Sequence, residues 1–224
     1  LAGSIPASPT NYNLNKREIL PMVTCNRKKL DLVNEIVFDT TGFLEKYKNN
    51  PLIYIVDTAS SWIREYSTVD LAGYDILFDK HGYDGVKGNE YCEAKPSNSY
   101  KDKYGKVKIK LNGGGNFNDY TFERFEKDKN ENLYMVISGF VEGTLSFILK
   151  FKFNSKNFIN HISNRLNYLN ENAKQSTRWT VKFSYLHYMN DDVILKYINK
   201  KLIQSKEEYF NGNFLNYLKK LGNF

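Results

Sequence analysis

The sequence predicts an α+β chain in which helices precede and follow a core of strands, and three observations carry the prediction. Apolar residues recur at helical spacing up to about Tyr66, and strand-like alternation takes over from Tyr74. Between two short runs rich in Tyr and Val lies a Gly88-Asn89 step, the signature of a two-residue hairpin turn. With 224 residues, 41% of them hydrophobic and 15% aromatic, the chain can bury one substantial core and is too apolar for disorder. Residues 1–10 read as an expression remnant or processed tail, and 11–224 as a single domain. Within it, 11–70 form a helical leader, 71–190 the sheet core and 191–224 C-terminal helices.

In chain order, Asn26 can cap a helix carrying Leu30, Val33, Ile36 and Val37, and Thr40 or Thr41 a shorter one through Tyr47 that Pro51 ends. Leu52 to Val56 is an apolar run of either type, and Ser61 to Tyr66 reads as a helical turn or two. Tyr74 to Asp79, Tyr83 to Lys87 and Glu90 to Lys95 then form three consecutive antiparallel strands. A lysine-rich connection from Pro96 to Lys103, with Lys101 and Lys103, leads to a strand over 106–111 that puts Lys106, Lys108 and Lys110 on one face.

The run Asn112 to Asp119, with three glycines and with Asn116 and Asn118, is either a connector or a loop that contacts a partner. It lacks the Gly-Lys-Ser/Thr ending of a phosphate-binding P-loop, so no nucleotide cofactor is expected. Two strands, Leu133 to Phe140 and Gly143 to Phe153, turn at Val141-Glu142. A helix over 156–172 carries Phe158, Ile159, Ile162, Leu166 and Leu169 on one face. The run 178–188 reads as a strand with Arg178, Lys182 and Ser184 on one face and Trp179, Val181, Phe183 and Tyr185 on the other. Residues 191–201 and 205–221 read as amphipathic helices. Their aromatics Tyr197, Tyr209, Phe210, Phe214 and Tyr217 serve either the core or a dimer contact.

The hairpin around Gly88-Asn89 concentrates chemistry. With that step as the turn, Lys87 faces Glu90, Val86 faces Tyr91 and Asp84 faces Glu93. Alternation puts Lys95 on the face of Glu93, while Cys92 and Ala94 point to a core. Like charges opposite one another destabilise a sheet. The Lys95 ammonium, a raised carboxyl pKa or a divalent cation such as Mg²⁺ could offset the repulsion. About three Asp/Glu-x-Lys tripeptides would arise by chance in such a composition. Glu93-Ala94-Lys95 is the only one present, so its weight lies in its strand-like setting opposite a Gly-flanked Asp.

Asp84, Glu93 and Lys95 resemble the Asp, Glu and Lys of the PD-(D/E)XK nuclease superfamily, with Tyr83 where the family's Pro would stand. The helix-then-meander order is also similar. The resemblance implies a restriction-endonuclease-like core, a central mixed sheet flanked by helices, and one or two Mg²⁺ ions held by Asp84, Glu93 and the main-chain carbonyl of Ala94. It also implies a lysine that positions or activates the attacking water. Asp75 is the alternative first acid, because the family tolerates a longer spacing. The compact size is most similar to a type II restriction endonuclease, which implies a homodimer cutting double-stranded DNA. A structure-specific repair or junction nuclease and a non-catalytic DNA-binding protein are the alternatives.

The net charge of +7 agrees with a polyanionic partner. On that reading Lys101, Lys103, Asn116, Asn118, Arg178 and Lys182 would contact DNA. His81, His161 and His187 are scattered and lack the neighbours of a histidine-based nuclease site. Two cysteines, Cys25 and Cys92, make no disulfide framework, and no apolar run reaches membrane-spanning length. The expected setting is the bacterial cytoplasm, without a membrane partner.

Overall fold

A computed structural model describes residues 61–77, 82–172 and 177–224. The helices expected between Asn26 and Tyr47 and the run Leu52 to Val56 lie outside these residues. Helix α1 (Ser61–Ala72) leads into strands β1 (Asp75–Ile76), β2 (Gly85–Lys87) and β3 (Glu90–Ser99). Strand β4 (Gly115–Tyr120) and helix α2 (Phe122–Asn130) precede β5 (Leu133–Val141) and β6 (Thr144–Lys152). Helix α3 (Lys156–Asn172), β7 (Trp179–Phe183), β8 (Ile194–Ile198), α4 (Lys200–Ser205) and α5 (Gly212–Gly222) complete the order.

Six strands form a mixed central sheet in the order β1-β2-β3-β5-β6-β8, and β4 pairs with β7 in a separate two-stranded sheet. Strands β1, β2 and β3 are the antiparallel meander that the alternation predicts, with β1 reduced to two residues. β3 runs parallel to β5, the only parallel pair among the described strands. Strand β5 is buried almost throughout because both of its faces are covered, which explains its near-continuous apolar run. It turns into β6 at Glu142-Gly143, one residue later than the sequence suggests. Both turn residues have positive φ (50° and 83°), the geometry that matches the twist of a tight hairpin.

Alternation along β5 and β6 splits the core between the two sheet faces. On one face Ile63, Val69 and Leu71 of α1 pack with Cys92, Ala94, Val136, Phe140 and Ile148. A buried Thr68–Ser138 hydroxyl pair at 2.6 Å ties α1 to β5 there. The opposite face joins Met135, Ile137, Phe147 and Phe151 to Phe158 and Ile162 of α3, Phe214 and Leu218 of α5, and Phe117 and Val181 of the small sheet. Each such side chain contributes roughly 1.5–3 kcal/mol on burial. Helix α3 has the predicted bounds, and its Phe158 meets the rings of Phe151, Phe153 and Phe183 at 5.0, 5.5 and 5.1 Å.

Other expectations give way to tertiary contacts. Ser61 to Tyr66 extends as helix to Ala72, because Val69, Leu71 and Ala72 continue the buried stripe. Residues 106–111 do not form a strand and make only bridges, Lys101 with Val107 and Leu111 with Phe210. Asp102 instead collects the N–H groups of Tyr104 and Lys106 in a local turn, leaving Lys106, Lys108 and Lys110 exposed. The Gly-rich run is not a loop from Gly115 onward, because Phe117 and Tyr120 are core residues and draw the backbone into β4. The strand expected over 178–188 stops at Phe183, where Ser184 opens a 3₁₀ turn over Tyr185–His187.

Residues 194–198 are an edge strand rather than helix, since Ile194, Leu195, Tyr197 and Ile198 pair with β6 and complete the sheet. Tyr209, Phe210 and Phe214 are fully buried, so these C-terminal aromatics serve the core rather than a dimer face. None of the described helices is long and apolar enough to cross a membrane.

Helix α2 was not apparent from periodicity. Thr121, extended at φ −123°, caps it by accepting the Arg124 N–H at 3.1 Å. Thr121→Ala should lower stability by about 1 kcal/mol in denaturant titrations, whereas Thr121→Ser should be near neutral.

Candidate functional site

The β2–β3 hairpin turns at Gly88-Asn89 with the expected register, Lys87 opposite Glu90, Val86 opposite Tyr91 and Gly85 opposite Cys92. The regular ladder ends there, one pair short of Asp84 and Glu93. The Asp84 N–H still reaches the Cys92 carbonyl at 2.9 Å and its own carbonyl accepts Leu77 N–H at 3.0 Å, so its backbone is held from both sides. Its side chain then takes the place of a strand partner, accepting the Ala94 N–H at 2.6 Å.

That bond fixes more than Asp84. The N–H and C=O of one strand residue point to the same neighbour, so the Ala94 carbonyl faces the Asp84 side as well. Pro96, two residues on, lacks the N–H that would point the same way beyond the end of β2, which is why a proline is tolerated within this strand.

Asp84, Glu93 and Lys95 converge on one cavity of about 930 Å³, which Glu65 and Tyr66 of α1, Asn116 to Tyr120 of β4, Arg124 of α2 and Arg178 also line. Lys95 Nζ lies 2.6 Å from Glu93 Oε1, and Arg124 Nη2 lies 3.8 Å from Glu93 Oε2. Burial, then Glu93 and Glu65 nearby, push the Asp84 carboxyl up to about 7. Burial alone would lower the Lys95 ammonium, but Glu93 and Asp84, with the direct bond to Glu93, hold it above its ordinary value. Of the three devices that could offset the carboxylate repulsion, the ion pair and the raised pKa are therefore both present.

The lysine is also placed by packing. A Cβ on Gly115 would stand 2.8 Å from Lys95 Cβ and 3.0 Å from Phe183 Cζ, so the glycine lets β4 close over the lysine stem. Phe117, two residues on, holds its ring 5.3 Å from Lys95 Nζ.

Arg124 and its support also belong to this site, although no periodic pattern in the sequence marks them. Asp128, 1% exposed, receives Tyr83 Oη at 3.0 Å, Tyr120 Oη at 2.7 Å and Arg124 Nε at 2.7 Å. The signal was the i, i+4 spacing of Arg124 and Asp128 behind a Thr121 cap. Glu65, on the last helical turn that the sequence suggested, joins the same cavity.

The other expected site residues divide. Asn116, Asn118 and Arg178 line the cavity, with Asn116 Nδ2 donating to Asn118 Oδ1 at 2.7 Å. Lys182 pairs with Asn116 across the small sheet, with its side chain exposed. Lys101 and Lys103 lie elsewhere, Lys101 3.3 Å from Glu208 and Lys103 over the Tyr104 ring. Asp75 is exposed on β1 and does not line the cavity, so the geometry favours Asp84 as the acid grouped with Glu93 and Lys95. His161 and His187, far apart in sequence, stack with centroids 3.5 Å apart outside this cavity, and His81 lies outside the described residues.

Whether these groups suit Mg²⁺ can be judged from the donors. Among the described residues no cluster of three His, Cys, Asp or Glu side chains forms a ready cage. Mg²⁺ does not require one, because it binds through one or two carboxylates and keeps several waters for substrate oxygens to replace. Acidic Glu65, Asp84, Glu93, Asp119 and Glu123 outnumber basic Lys95, Arg124 and Arg178 around the cavity. An anionic substrate would be repelled from such a lining unless a cation entered with it. Two carboxylates with a main-chain carbonyl on the same side therefore fit a hard divalent ion.

No protein-family profile matches the chain, and no curated protein is similar enough in sequence to count as a relative.

Proposed function

We propose that this protein is a Mg²⁺-dependent endonuclease that hydrolyses phosphodiester bonds in double-stranded DNA, built on a PD-(D/E)XK core and acting as a homodimeric type II restriction enzyme. The observation that carries the reading is the convergence of Asp84, Glu93 and Lys95 in one cavity, from a hairpin whose turn and register follow from the sequence. The helix α1 and the β1–β2–β3 meander support the resemblance in element order. The charge of +7 suits a polyanionic substrate.

On this reading Asp84, Glu93 and the Ala94 carbonyl hold the cation. When bound, Mg²⁺ lowers the pKa of a coordinated water and offsets charge on the scissile phosphate. The side chains do the rest. Glu93 holds the Lys95 ammonium by the 2.6 Å contact, which presents it to the cavity as a hydrogen-bond donor. This ammonium orients the attacking water and meets the negative charge that grows on the phosphate oxygens in the transition state. Gly115 and Phe117 keep the lysine stem from swinging away.

Digestion of a supercoiled plasmid and of genomic DNA with Mg²⁺ tests the reading. Discrete, reproducible fragments with uniform ends are expected. Nicks confined to branched or damaged substrates would indicate a structure-specific nuclease, and intact DNA that is nonetheless bound would remove catalysis from the account.

A further inference from the structure

Arg124 is anchored more firmly than the surface charge of an exposed helix requires. Asp128, on the buried face of the same helix α2, takes its Nε at 2.7 Å and is itself fixed by the hydroxyls of Tyr83 and Tyr120. The guanidinium also lies 5.0 Å over the Tyr83 ring, which sets its plane.

One edge of the guanidinium is thus committed to Asp128. Arginine has five N–H donors in a rigid fork, so the remaining edge keeps its geometry, and Arg124 lines the cavity with Nη2 on the side of Glu93. It faces Glu93 as a long ion pair, Nη2 to Oε2 at 3.8 Å, beyond hydrogen-bond length, while Glu93 has its short contact with Lys95 at 2.6 Å. That edge therefore keeps hydrogen-bond donors that a phosphate could take.

We infer that Arg124 forms a phosphate-binding subsite of the cavity, with Asp128 as the positioning residue that aims it. The inference rests on the phosphodiesterase reading and specifies how that site grips its substrate: the guanidinium fork takes non-bridging oxygens of a phosphate beside Lys95. Lysine cannot replace it, because a single ammonium cannot hold Asp128 and a phosphate in the same geometry.

Two measurements on the full chain test the subsite. Inorganic phosphate, titrated with Mg²⁺ present, should raise the melting temperature of the wild type and leave Arg124→Lys and Arg124→Ala unmoved. In single-turnover cleavage of a duplex, Arg124→Ala should lose roughly 100-fold and recover with added methylguanidinium but not methylammonium. Arg124→Lys should remain slow, and Asp128→Asn should lose roughly 10-fold or more in rate with unchanged duplex affinity. Absence of a phosphate shift in the wild type, a wild-type shift in Arg124→Lys, or wild-type cleavage by either Arg124 variant would overturn the subsite. A phosphate shift that depends on Arg124 in a protein that cuts no DNA would keep the subsite and defeat the nuclease reading. If Arg124→Ala does not fold, Arg124→Lys decides both measurements.

Discussion

Asp84→Asn should make the cation-free protein more stable at pH 8 while depriving it of Mg²⁺-dependent cleavage. The carboxyl is raised from 3.8 to about 7 by burial and by Glu93 and Glu65, so its ionisation opposes folding. For a raised carboxyl, the favourable contribution is complete below about pH 4 and is lost as pH climbs through about 7. Asn keeps an oxygen for the Ala94 N–H and carries no charge. The gain at pH 8 should be about 1–3 kcal/mol, allowing for the partial exposure of the group, and should vanish near pH 4. Mg²⁺ should stabilise the wild type at pH 8 and leave the variant unchanged, and cleavage should fall roughly 100-fold or more. Denaturant titrations at the two pH values, with and without Mg²⁺, measure this. A variant less stable than the wild type at pH 8 would contradict the picture of repelling carboxylates.

Lys95→Ala and Glu93→Ala carry the largest expected effect, a loss of roughly 1000-fold or more in cleavage. Lys95→Ala removes the only ammonium within hydrogen-bond reach of Glu93 among the described contacts and the group that meets the transition-state charge. Glu93→Ala removes a cation ligand and also the carboxylate that holds the Lys95 ammonium at 2.6 Å. Specific duplex binding, followed by fluorescence anisotropy, should be largely retained in both, because affinity for DNA is spread over many phosphate contacts. Affinity lost in parallel with cleavage would assign the pair to binding rather than chemistry.

The hairpin was legible because its determinants are local. A Gly-Asn turn fixes register, and register with the two-residue alternation places Glu93 and Lys95 together and sends Cys92 and Ala94 to the core. Helix α3 was equally legible from its apolar stripe, and the near-continuous apolar runs of β5 and β6 marked the sheet centre. The elements misread are those whose state is decided by distant partners. Residues 194–198 fit a helical stripe and an edge strand alike, and only β6 decides between them. The glycines before β4 look like a loop until β7 and the Lys95 stem are packed against them.

The candidate site was read as three residues, and the structure adds its surroundings. Alternation predicts which face Asp84 and Glu93 share. It does not predict that the ladder stops at Gly85 and that Asp84 turns its carboxylate onto the Ala94 N–H. The short hairpin spacing already favours Asp84 over Asp75, and the cavity includes the one and not the other. Arg124 and Asp128 stayed hidden because a short, highly charged helix shows little apolar period, and because the hydroxyls that fix Asp128 come from Tyr83 and Tyr120, 45 and 8 residues away.

Supercoiled-plasmid cleavage by the wild type and by Lys95→Ala, run side by side with Mg²⁺ and with a chelator, measures whether the Asp84, Glu93 and Lys95 site cuts DNA. Discrete linear products are expected from the wild type with Mg²⁺ alone, and intact plasmid in the other three reactions. Cutting by Lys95→Ala at the wild-type rate, or cutting by the wild type in chelator, would contradict the assignment of that site.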